Sequence, residues 1–82
     1  EIADLRYDPE KELEKKHTRQ LVQQAISMLD SDHRDVIIMR DINGLSYDEI
    51  SNVLNISTGT VKSRISRARE KLKNFLLNAI KR

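Results

Sequence analysis

Residues 46–72, SYDEISNVLNISTGTVKSRISRAREKL, hold two helix starts in close succession, and their spacing decides the fold. The first is Ser46-x-x-Glu49, a capping box in which a hydroxyl and a carboxylate satisfy each other's backbone amides, with Leu45 and Ile50 at the two positions of a hydrophobic staple. Tyr47, Ile50, Val53 and Leu54 predict the inner face of a helix of about eight residues ending near Asn55, which tolerates left-handed backbone. The second start is Ser57, with Ile56 and Val61 as its staple. Its third helical position is Thr60, so no carboxylate adds negative charge there and the leading amides suit a phosphate. Beyond it Val61, Ile65, Ala68, Leu72 and Leu76 recur at intervals of four, three, four and four, which is one buried helical stripe. Two such helices joined by Asn55-Ile56-Ser57 predict a helix-turn-helix.

Off the stripe lie Thr58, Thr60, Lys62, Ser63, Ser66, Arg67 and Arg69, and residues 57–82 carry eight cations against one acid. A face of hydroxyls and cations suits duplex DNA, and in a helix-turn-helix the second helix offers its N-terminal half to the major groove while the first braces across the backbone. Lys62 with Ser66, and Ser63 with Arg67, are four residues apart and share one solvent-facing sector, so these four are the candidate base readers. Arg67 can contact guanine in bidentate fashion, Lys62 can reach guanine or a phosphate, and the serines can donate or accept. Thr58, Thr60, Arg64 and Arg69, with Ser46 and Tyr47 on the bracing helix, are assigned to the DNA backbone. Gly59 costs helix propensity, roughly 1 kcal/mol relative to Ala. A small residue there permits close approach either to the DNA backbone or to the preceding helix.

Working back from Ser46, Asn43-Gly44 ends an earlier helix, with Gly44 as its left-handed terminal residue. That helix is predicted to run to Ile42 from Asp30 or Ser31, either of which can cap it. Its four consecutive apolar residues, Val36, Ile37, Ile38 and Met39, exceed one stripe. They mark a central helix buried on several sides or a patch that docks a partner protein. The first helix is predicted over residues 10–29, entered through Asp8-Pro9, with Leu13, His17, Leu21, Ala25 and Met28 or Leu29 as its stripe, Val22 and Ile26 widening it, and Glu12 paired with Lys16 outside. His17 falls on the apolar face and is expected to be packed or at the boundary. Residues 1–8 have no period and are expected to be a tether, and the absence of an initiator Met suggests a fragment or processed product.

Eighty-two residues bury a limited core, and 38% hydrophobic with 34% charged residues suits one small soluble helical domain. There is no cysteine, and so no disulfide or thiolate zinc site. No apolar run approaches the roughly 20 residues of a membrane span, so a cytoplasmic protein is expected. Charge is divided unevenly: residues 1–45 hold ten acids and seven Lys/Arg (10 − 7, net −3), and residues 46–82 hold three and eight (8 − 3, net +5). A polyanion is therefore expected at the C-terminal half. His17 and His33 are far apart and no nucleophile–base or metal-ligand spacing occurs, so no enzyme, metal or cofactor is expected. The expected fold is all-α, a four-helix domain ending in a helix-turn-helix with a long recognition helix.

The blocks RDVIIMRDINGLSYDEI and GTVKSRISRAREKL, ordered and spaced as they are, closely resemble region 4 of bacterial sigma factors of the extracytoplasmic-function (ECF) group. The resemblance implies a domain that reads the promoter minus-35 element, docks on the beta flap of RNA polymerase and is often covered by an anti-sigma factor. It places Lys62, Ser63, Ser66 and Arg67 at base-contact positions. Ser66 stands where relatives often carry an aromatic or histidine, and Asp30 where they often carry Pro. A promoter-melting region 2 is not among these residues, which implies an isolated C-terminal domain over 9–82 with 1–8 as a linker remnant, acting as a monomer on an asymmetric element. The alternatives are a response-regulator output domain, marked by a homodimerising last helix and palindromic sites, and a protein-binding adaptor whose cations serve solubility.

Overall fold

The computed structural model, which describes residues 8–80, contains four α-helices and no strand among those residues. They are α1 (Pro9–Ser27), α2 (Ser31–Ile37), α3 (Tyr47–Leu54) and α4 (Thr58–Ile80), and a π-helical turn, Ile38–Ile42, continues α2. Apart from Asp8, the tether expected over residues 1–8 lies outside the described residues. Asp8 caps α1, its carboxylate accepting from the Glu10 amide at 2.9 Å, and Pro9 takes the first helical position where its missing N–H is harmless.

The stripe expected along α1 holds only in its second half. Ala25, Ile26 and Leu29 are buried, whereas Leu13 is 68% exposed and Met28 and His17 are also exposed. The packed or boundary position expected for His17 is thus corrected. A helix of 19 residues is about 28 Å long, and its partners reach only the C-terminal portion. Outside, Lys15 pairs with Glu12 at 3.7 Å, where Lys16 was expected.

Asp30 is the N-cap of α2 by its backbone, its carbonyl accepting from the Arg34 amide at 2.8 Å, but its carboxylate makes no capping bond and reaches Lys71 at 3.3 Å. Of the two readings of residues 36–39, the central helix is the one observed. Val36 and Ile37 are buried, and Ile38 and Met39 are half-buried against the same core. The π turn accounts for this excess, because a wider turn brings successive residues round more slowly and holds more of them toward one side. Its mark is the bond from the Asn43 amide to the Ile38 carbonyl, 2.9 Å and five residues apart. Gly44, at φ +74°, ends the segment, and the Gly44 and Leu45 amides donate back to Arg40 and Met39. The Arg40 guanidinium closes the corner by donating to the Leu45 carbonyl at 2.7 Å.

The capping box of α3 is complete. The Glu49 amide donates to Ser46 Oγ at 3.0 Å and the Ser46 amide to Glu49 Oε1 at 2.8 Å. These hydrogen bonds hold the Glu49 carboxyl below its ordinary value. Ile50 is fully buried, but Val53, expected on the inner face, is 62% exposed: α3 is two turns long and meets the core through Tyr47, Ile50 and Leu54. Asn55 adopts the left-handed conformation (φ 56°, ψ 48°), and the turn is tied by the Ile56 amide donating to the Ser51 carbonyl while Ser51 Oγ donates to the Ile56 carbonyl. Val61, Ile65 and Ala68 of α4 complete the core, with Leu72 and Phe75 packed at its edge. Toward the end of α4, Leu77 and Ile80 remain exposed.

Candidate nucleic-acid interface

The interface is built on the first three turns of α4. Ser57 Oγ accepts from the Thr60 amide at 3.1 Å and shares a hydrogen bond with the Thr60 hydroxyl at 2.9 Å, and the Ser57 carbonyl accepts from the Val61 amide. The amides of Thr58 and Gly59 have no acceptor among the described residues, and no acid lies in the first turn. Such a start attracts an anion through both its free N–H groups and the helix dipole. A Cβ added at Gly59 would meet only Ser57 Oγ, at 3.8 Å, so α3 does not require the glycine. Ser57, Gly59, Thr60, Ser63, Arg64 and Arg67 line one shallow, open depression on this surface.

The four candidate base readers, Lys62, Ser63, Ser66 and Arg67, are all exposed on the outer side of α4, while Val61 before them and Ile65 among them are buried. Among the described residues neither Lys62 nor Arg67 has a carboxylate within ion-pair distance. The residues assigned to the DNA backbone divide. Thr58 and Thr60 lie at the helix start, and Ser46 and Tyr47 at the start of α3. Arg64 is half-buried and lies 4.0 Å from Asp32 of α2. Arg69 donates from two nitrogens to both carboxylate oxygens of Asp41 on the π turn, a contact that raises its pKa above the ordinary arginine value. With Lys71 on Asp30, three cations of α4 are thus turned toward acids at the ends of the α2 segment.

Two features of the site escaped the sequence. Arg40 lies with its guanidinium carbon 4.9 Å from the centre of the Tyr47 ring, and the Lys62 ammonium lies 5.9 Å from the same ring. The only sequence signal for Arg40 is its place four residues before the left-handed Gly44. Asp41 was unassigned because no local rule joins residue 41 to residue 69, and Asp32, expected in the first turn of the second helix, was not linked to Arg64. Elsewhere, Val22, Ile26, Ile37, Ile42 and Leu72 line an apolar groove between α1, the π turn and α4, rimmed by Arg19 and Asp41. No cluster able to hold a metal ion occurs among the described residues.

A family profile described as "Sigma-70, region 4" matches residues 19–72. It begins at Arg19, past the middle of α1, and ends at Leu72, and so includes the whole buried core. ECF RNA polymerase sigma-E factors of Escherichia coli strain K12 and of Salmonella typhi are each 40% identical over 75 residues, which cover 92% of this chain and 39% of theirs. An ECF RNA polymerase sigma factor SigE of Mycolicibacterium smegmatis is 42% identical over 55 residues, 67% of this chain and 21% of its own. The chain therefore spans about two fifths of the length of the sigma-E relatives. These matches do not favour a response-regulator output domain. With its helix-turn-helix, its capped α3 and its cationic α4 start, this chain belongs to the sigma-70 region 4 family, in the form carried by ECF sigma factors.

Proposed function

We propose that the chain reads a promoter minus-35 element as the region 4 domain of an ECF sigma factor and links that element to RNA polymerase for transcription initiation. The observation that carries this reading is the first half of α4, where Lys62 and Arg67, with no carboxylate partner among the described residues, flank Ser63 and Ser66 beside a helix start whose first amides have no acceptor among those residues. In this reading Lys62, Ser63, Ser66 and Arg67 contact base edges, and Thr58, Thr60, Ser46, Tyr47 and Arg64 set the depth of α4 on the phosphates. Arg69 contributes least, because Asp41 already holds its guanidinium.

The apolar groove, in which Ile42 is 61% exposed, supports docking on the beta flap of the polymerase, and an anti-sigma factor would act by covering one of these surfaces. The domain extends over residues 9–82, works as a monomer on an asymmetric element in the cytoplasm, and needs neither cofactor nor catalysis. No helix among the described residues is long and apolar enough to cross a membrane. The test is selection from promoters randomised at the minus-35 region, using polymerase holoenzyme containing the protein. An enriched asymmetric motif is expected, and a selection that returns no motif would sink the proposal.

A further inference from the structure

We propose that Tyr47 is a positioning residue for base readout: its ring restrains the Lys62 side chain, so that the ammonium selects a base position rather than sampling phosphates at random. The inference rests on the DNA-reading role proposed above and deepens it. Three observations carry it. The Lys62 ammonium lies over the Tyr47 ring, within the range at which a ring quadrupole attracts a cation. The ring is itself fixed, since Tyr47 is half-buried against the core at the first position of a helix whose capping box is complete. Arg40 also lies over this ring, with its guanidinium carbon 4.9 Å from the centre, and is anchored by its bond to the Leu45 carbonyl.

The physical consequence concerns freedom. A lysine on an exposed helix face has a long, flexible stem and a point charge without preferred direction, which suits phosphate better than a base. Lys62 has no carboxylate to hold it among the described residues, and the aromatic ring is the group placed to restrict it. Restricting its rotamers before binding lowers the ordering cost of a base contact and leaves a diffuse phosphate attraction almost unchanged. Tyr47 can therefore alter specificity without itself touching a base. Its hydroxyl, assigned to a phosphate, is a separate function of the same side chain.

Two substitutions separate these roles. Tyr47→Phe keeps the ring and removes the hydroxyl, and Tyr47→Leu removes the ring but keeps an apolar side chain against the core. Affinities are measured for wild type, both variants, Lys62→Met and the Tyr47→Leu/Lys62→Met double variant. The probes are a duplex selected by the wild-type protein and its single-base-pair variants, and thermal melting checks folding. Tyr47→Phe is expected to weaken all duplexes alike. Tyr47→Leu is expected to lose about two- to fivefold discrimination at the one base pair that Lys62→Met also relaxes, with no further loss in the double variant. Additive effects in that cycle, or an unchanged discrimination profile in Tyr47→Leu, would overturn the positioning role while leaving DNA reading intact. A DNA-free NMR readout keeps the two failures distinct: the Lys62 Hε protons should be shifted upfield by the ring in wild type and Tyr47→Phe, and return to ordinary values in Tyr47→Leu. Absence of that shift would refute the proposal whether or not the protein selects a DNA sequence.

Discussion

Among the arginines of α4, charge alone does not decide function, because two side chains two residues apart face different demands. Arg67 is exposed with no carboxylate within ion-pair distance among the described residues, and Arg69 is clasped by both oxygens of Asp41. Helical periodicity separates them from the core equally well and gives no warning of the difference, since Asp41 lies 28 residues earlier in the chain. Arg67→Ala is expected to relax one base position at a cost of about 1–3 kcal/mol, read as a change in the selected motif. Arg69→Ala should leave the motif and the slope of affinity against salt nearly as they were, and cost about 0.5–1 kcal/mol of folding stability as an exposed ion pair does. The converse variant is more informative. Asp41→Asn frees the guanidinium, and the salt slope should steepen toward one further phosphate contact. A flatter slope in Arg69→Ala together with an unchanged one in Asp41→Asn would show that Arg69 reaches DNA in spite of its partner.

At the scale of the element, the two helix starts of the helix-turn-helix have opposite chemistry, one closed by its own side chains and the other proposed to bind. The start of α3 is closed by Ser46 and Glu49, while α4 begins on Ser57 and Thr60 with no acid in its first turn and with no acceptor for the Thr58 and Gly59 amides among the described residues. Since α3 does not require the glycine, Gly59→Ala isolates the second case. Replacing Gly within a helix should raise stability by up to about 1 kcal/mol, visible as a higher melting temperature. The same methyl group, placed where a phosphate is expected to approach, should weaken binding to every duplex alike. A variant that is stabilised and binds unchanged would show that this turn does not contact the backbone. Caps, the left-handed Gly44 and Asn55, and the stripe of α4 were legible in the sequence because each depends on residues within one or two turns. The π turn was not: Ile38–Ile42 has an ordinary helical composition, and only its five-residue bond register distinguishes it. Val53 and Leu13 were misassigned for a related reason, since periodicity gives a face but not whether anything lies opposite it.

Across the whole molecule, the side of α4 proposed to face DNA and the apolar groove are formed by different surfaces of the same helix, joined through the core. Leu72 lines the groove one turn beyond the buried Ala68, and Ile37 contributes to groove and core together. Ile42 differs from both, because it lines the groove yet leaves most of its side chain in solvent. Replacing it should therefore disturb little else, whereas Ile37→Ala would cost about 2–5 kcal/mol. That is a large share of the roughly 4–12 kcal/mol expected for a domain of this size. Ile42→Glu places a charge in the groove beside Asp41 without opening a cavity. The expected result is a melting temperature within a few degrees of wild type, unchanged affinity for the selected duplex, and loss of binding to core polymerase, each measured on the same preparation. Undiminished polymerase binding with a folded variant would move the docking surface away from this groove. Loss of DNA affinity in the same variant would instead mean that the two faces of α4 are coupled through the core rather than independent.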